Sequence, residues 1–103
     1  MWGRLGFDLS TAWAPLRVSD ARTFAVRVPE LGRLELWLGA PVDAGYLVAG
    51  RALQPLPTGS SLSGAQFAWM PPAGYAGAYE LAFLRRGERI TVIVTVGRPL
   101  RIR

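Results

Sequence analysis

Phe67-Ala-Trp69-Met-Pro71-Pro-Ala-Gly-Tyr-Ala-Gly77-Ala-Tyr79-Glu-Leu81-Ala-Phe83-Leu84 places two aromatic runs of period two on either side of a Pro/Gly corner, and leads directly into Arg89-Ile-Thr-Val-Ile-Val-Thr-Val96. Alternation of this kind puts every second side chain on one face of a strand. Tyr79, Leu81 and Phe83 share one face, and Ile90, Val92, Val94 and Val96 share one face of the next run. Arg85-Arg-Gly-Glu88 between them reads as a four-residue hairpin loop, with glycine available for a positive φ.

Working backwards, Gln66 to Met70 is a strand ended by prolines, and Pro55 to Gly64 is a Pro/Gly/Ser connection ahead of it. Tyr46-Leu-Val-Ala49 and Ala52-Leu-Gln54 flank Gly50-Arg51, a tight hairpin turn. Thr23 to Val28 and Arg33 to Leu38 both alternate. In the second of these, Leu34, Leu36 and Leu38 point inward, so Arg33, Glu35 and Trp37 share the outer face. An outward Trp is the odd residue of that strand. Residues 1–20 are less regular, and Trp2, Phe7, Leu9, Trp13, Leu16 and Val18 there supply an edge strand or an arm packed across the sheets. The expectation is an all-β, antiparallel sandwich of about seven strands. Its core spans 22–96, with a basic tail over 97–103, in one domain.

With 103 residues, half of them apolar, the chain can bury a core without a disulfide or metal staple. Cysteine and histidine are both absent. That removes thiolate zinc sites and the commonest catalytic base. All twelve basic residues are arginine, which excludes Schiff-base and lysine-base chemistry. The remaining acid/base candidates are Asp8, Asp20, Glu30, Glu35, Asp43, Glu80 and Glu88, and no pair of them is set across an evident cleft as a glycosidase needs. No calcium-type run of alternating Asp and Asn is present. The reading is noncatalytic, with no cofactor and no metal.

No stretch approaches the ~20 apolar residues of a membrane-spanning helix. Met1-Trp-Gly-Arg-Leu-Gly-Phe-Asp8 lacks the charged start and apolar run of a signal peptide. The segment is read as part of a longer exported chain.

From Leu56 to Val96 the order of motifs resembles a known family. Leu56-Pro57-Thr-Gly59-Ser-Ser-Leu62, then Phe67-Ala-Trp69-Met-Pro71, then Ala76-Gly77-Ala-Tyr79 and the closing hairpin are similar to the bacterial immunoglobulin-like, or cadherin-like, domains that occur in tandem in large surface and secreted proteins. The turn at Ser63-Gly64-Ala65 is shorter than the family's usual one, and the first half of the chain matches weakly. The resemblance implies an extracellular or cell-surface setting and a structural or protein-interaction role beside neighbouring domains.

Gly77-Ala-Tyr79 at the start of a strand has the spacing of a tyrosine corner, in which the phenol hydrogen-bonds to upstream backbone. Tyr79, Trp69, Phe67 and Gly77 are read as structural. Trp37, Arg33, Glu35 and Tyr46 are the candidate interface or ligand platform, since Trp and Arg are enriched at interface centres. The same outward ring, with Trp2, Trp13, Tyr46 and Tyr75, makes a polysaccharide the alternative ligand. The net charge of +5 and the cluster Arg85, Arg86 and Arg89, continued by Arg98, Arg101 and Arg103, mark a candidate anion contact. Nucleic acid is the weaker reading, because no basic and aromatic interleaving accompanies that charge. Self-association is left open.

Overall fold

Alternating apolar residues can be buried only if a second layer covers them, and in this chain two sheets cover each other. A computed structural model describes residues 1–8, 10–20 and 22–98, the side chains at 19 and 20 excepted. Eleven strands are found among them, and no helix: β1 (Trp2–Leu5), β2 (Ala14–Pro15), β3 (Arg17–Asp20), β4 (Thr23–Pro29), β5 (Leu34–Trp37), β6 (Ala44–Ala49), β7 (Ala52–Gln54), β8 (Ser60–Ser63), β9 (Gln66–Trp69), β10 (Gly77–Arg85) and β11 (Glu88–Gly97). One sheet runs β2-β1-β5-β9-β8 and the other β3-β4-β11-β10-β6-β7. The fold is an all-β sandwich.

The inner faces meet in one core. Leu34 and Leu36 of β5 and Phe67 and Trp69 of β9 come from the first sheet, opposed by Val28, Leu81, Phe83, Val92, Val94 and Val96 from the second. Phe67 and Phe83 touch edge to face with centroids 5.4 Å apart, and Trp69 meets Tyr79 at 5.3 Å in the same manner. Trp69 also donates its indole N–H to the Thr58 carbonyl at 2.9 Å, which satisfies the ring's one polar atom in the interior. Tyr79 donates its hydroxyl to the Tyr75 carbonyl at 2.7 Å, and Gly77 opens β10 opposite Val96.

Several details depart from the pattern read in the sequence. The sandwich has more and shorter strands than about seven, and it is not wholly antiparallel: β4 and β11 run parallel, Val26 opposite Val94. The chain crosses to the other sheet after β4 and returns only with β6, so no hairpin constrains the β4–β11 pair. The connection over 55–64 contains the edge strand β8, because Leu62 sits opposite Phe67 and extends the apolar row. The loop between β10 and β11 is two residues rather than four. Arg85 and Glu88 still pair, leaving Arg86 and Gly87 with φ of 49° and 78°. Those signs are the type I′ hairpin turn that matches strand twist.

The first twenty residues enter both sheets. β1 is interior to its sheet, between β2 and β5, while β2 and β3 are edges. Gly3 is what admits β1 there. It lies opposite Leu36, and a Cβ added to it would stand 2.8 Å from the Leu16 side chain. Leu9 and residues 99–103, and so the tail arginines Arg101 and Arg103, lie outside the described residues, as does the Asp20 side chain.

Candidate binding face

β1 and β5 pair antiparallel so that Trp2 faces Trp37, Gly3 faces Leu36, Arg4 faces Glu35 and Leu5 faces Leu34. Since Leu34 and Leu36 are in the core, Trp2, Arg4, Glu35 and Trp37 project from the opposite, outer face. The next strands continue the rows: Trp37 is opposite Gln66, which is opposite Ser63, and Glu35 is opposite Ala68, which is opposite Ser61.

Glu35 is charged and nearly buried, its side chain only 6% exposed. Arg4 grips it through both guanidinium edges, Nε to Oε1 at 3.0 Å and Nη2 to Oε2 at 3.2 Å. Arg33 adds an ion pair from Nη1 to Oε1. The Arg4 hydrogen bonds hold the Glu35 carboxyl below its ordinary range, against the opposing effect of burial, with Arg33 reinforcing them. Such a fork is the strong form of carboxylate recognition.

Thr11 and Trp13, between β1 and β2, both meet Arg4. Asp8 accepts from Ser10 N at 2.9 Å and Ser10 Oγ at 2.7 Å, and the Asp8 carbonyl accepts from Thr11 N at 3.1 Å. The Ser10 hydrogen bonds also lower the Asp8 carboxyl pKa. Arg4 Nη1 donates to the Thr11 carbonyl at 3.3 Å, and the Trp13 ring lies over the Arg4 guanidinium, 4.3 Å from carbon to centroid. That stacking is a cation–π contact. Trp2, Trp13 and Trp37 together line a cleft of about 380 Å3. Trp2 is 45% exposed and Trp37 42%.

The residues proposed from sequence do not all meet here. Trp37, Arg33 and Glu35 share this outer face, although Glu35 is buried beneath its arginines. Tyr46 does not join them: it lies on β6 opposite Ala82, in the other sheet. Tyr75 stacks on Tyr79 at 6.3 Å, at the corner before β10. Trp2 and Trp13 complete the cleft. Arg4 is the residue that sequence reading passed over. Its signal is an inverted match: Trp2-Gly-Arg4 read against Glu35-Leu-Trp37 puts ring on ring and cation on anion in an antiparallel register.

The basic hairpin is differently built. Arg85 turns inward and donates from Nη2 to the Leu38 carbonyl at 2.6 Å and the Ala40 carbonyl at 3.2 Å, tying β10 to the end of β5. Arg85 is half-buried, and with Nη2 given to these carbonyls it offers less of its guanidinium to an anion than the exposed Arg86 and Arg89 do. Arg89 pairs with Glu80 at 3.1 Å and Arg22 with Glu88 at 3.3 Å. Arg86 is exposed at the turn, its backbone N–H given to Asp43 Oδ2 at 2.9 Å. Arg98 is exposed beyond β11.

Among the described residues no group of three His, Cys, Asp or Glu side chains is placed to hold a metal ion. Glu30 accepts from Gly74 N at 2.9 Å and Asp43 from the β10–β11 turn, which are structural tasks. No helix among the described residues is long and apolar enough to cross a membrane. No protein-family model matches the chain, and no curated protein matches it.

Proposed function

We propose that the chain is a noncatalytic immunoglobulin-like module of a larger bacterial surface or secreted protein, working by contact through the outer face of the β1–β5 pair. The observation that carries this reading is the cleft of three tryptophans on that face. Two of its rings stay nearly half exposed to water. Clustered, exposed, large apolar side chains mark interaction sites far more often than singly scattered ones do.

The arginine and glutamate beneath the rings support the same reading. They fix the platform from below without offering an acid or base, since Glu35 is engaged by two guanidiniums. A contact role predicts that the rings are dispensable for folding. The double variant Trp2→Ala with Trp37→Ala is expected to keep the parental far-ultraviolet spectrum and lose at most about 1 kcal/mol, the scale of an exposed cross-strand pair. A loss of about 3 kcal/mol or more, as for an emptied core position, would make the rings structural and end the reading.

A further inference from the structure

We infer that the cleft between Trp2, Trp13 and Trp37 is a saccharide site, taking an uncharged pyranose unit of a glycan chain against its indole walls; this rests on the contact-face reading above. Three properties of the cleft select that ligand class. The walls are flat, rigid and apolar, suited to the C–H face of a sugar ring. Two neutral hydrogen-bonding side chains continue the row, Gln66 beside Trp37 and Ser63 beyond it. With strands about 4.8 Å apart, the row Trp2, Trp37, Gln66, Ser63 extends roughly 14 Å across the sheet. Gln66 offers two donors and an acceptor, and Ser63 one donor with acceptor capacity, which is the complement of a ring's hydroxyl rim. The cleft, at about 380 Å3, falls at the small end of ligand sites.

The third property is charge. Aromatic cages also take quaternary ammonium groups, but here two guanidiniums, Arg4 and Arg33, share one carboxylate directly beside the rings. The chain as a whole carries +5. A cation would be repelled. A carboxylated or sulfated ligand would have to compete with Glu35 for guanidiniums that already hold it by a fork and, for Arg4, stack on Trp13 and bond to Thr11. A neutral ligand disturbs none of these contacts. A protein partner would cover on the order of 800 Å2 on this side. Beyond the two exposed rings, the outward residues of β8 and β9 are Ser61, Ser63, Gln66 and Ala68, small or polar side chains that suit hydroxyls better than an apolar partner.

One of the three rings, Trp13, is also held before any ligand arrives. It lies over the guanidinium of Arg4, which is itself fixed on Glu35. Preorganisation of this kind reduces the ordering cost of binding.

The test is titration of the purified chain with cellohexaose, chitohexaose, xylohexaose and mannohexaose, followed by tryptophan emission and calorimetry at about 0.1 M and about 0.5 M salt. At least one probe is expected to bind, to shift the emission, and to hold its affinity between the two salts. Trp37→Ala should weaken that binding about tenfold or more, as loss of a Trp anchor does, with Gln66→Ala weakening it less. Trp37→Phe, which keeps a ring on an undisturbed strand, should bind between the two. No binding to any of the four probes, binding that survives Trp37→Ala, or binding that collapses in salt would each overturn the site. Sedimentation separates the two levels of the reading. Self-association abolished by Trp37→Ala would leave the contact face standing and replace the saccharide with a second copy of the chain, whereas unfolding of every ring variant would remove both.

Discussion

The outer face of β1 and β5 and the β10–β11 hairpin both carry arginine beside acid, yet they do opposite things with it. In the hairpin the arginines are dense in sequence, Arg85, Arg86 and Arg89 within five positions, and the fold disperses them: inward to carbonyls, outward at a turn tip, and sideways onto Glu80. On the outer face Arg4 and Arg33 are far apart in sequence, and the fold brings both to one carboxylate. Local density of charge therefore says little about where charge is available. What counts is the partner that the register supplies, and that partner sits 31 residues away for Arg4 and 9 for Arg89.

The sharpest way to break this comparison is Glu35→Ala. Removing the carboxylate leaves two largely covered guanidiniums without it, their side chains 12% and 28% exposed, and about 3 kcal/mol of stability should go, at the lower end of the loss for a broken buried ion pair, read from urea midpoints. A loss under about 1 kcal/mol would put Glu35 in the same class as the exposed pairs of the hairpin. The same carboxyl has a pH signature. Its folded pKa lies below the ordinary value of 4.5, so its contribution is present above that pH and is lost as pH falls below it toward the folded value. Glu35→Gln should flatten that part of the acid limb, with Asp8, also lowered, retaining some slope. An unchanged limb would remove Glu35 from the linkage.

Next in size, Arg85→Ala should cost about 2 kcal/mol, for charge-assisted bonds to two carbonyls. Arg86→Ala, one residue on, should stay within about 0.5 kcal/mol. Equal effects would mean the hairpin arginines act alike after all. Tyr79→Phe should cost about 1 kcal/mol, the value of one net hydrogen bond, and an unchanged thermal midpoint would deny the Tyr75 carbonyl that role. Smallest of all, Arg89→Ala should change stability by roughly 0.5 kcal/mol and less in high salt, as for an exposed pair.

Much of the architecture was legible from alternation alone. Thr23 to Val28, Leu34 to Trp37 and the last two strands sit close to where period two places them, and the outward side of Trp37 follows from Leu34, Leu36 and Leu38 facing the other way. Less could be read where the chain lacks that period. Ser60 to Ser63 looked like a loop because three of its four residues are serine, and it pairs only because Leu62 extends the Phe67 row. The first twenty residues hid both an interior strand and most of the cleft. Gly3 carries no side chain to show a strand period, and its place in β1 depends on Leu16 filling the space a side chain would have taken.

The sequence by itself determined the all-β character, the inward and outward sides of the long strands, and the exclusion of cysteine, histidine and lysine chemistry. These follow from residue type and from neighbours two positions apart. The tertiary structure alone decided that Arg4 would join Arg33 on Glu35, that Arg85 would be taken inward, and that Trp2, Trp13 and Trp37 would stand around one cleft while Tyr46 stood on the other sheet. Each of these depends on which strands become neighbours. That choice is made by burying the whole set of apolar faces at once, so it cannot be read from any strand taken singly.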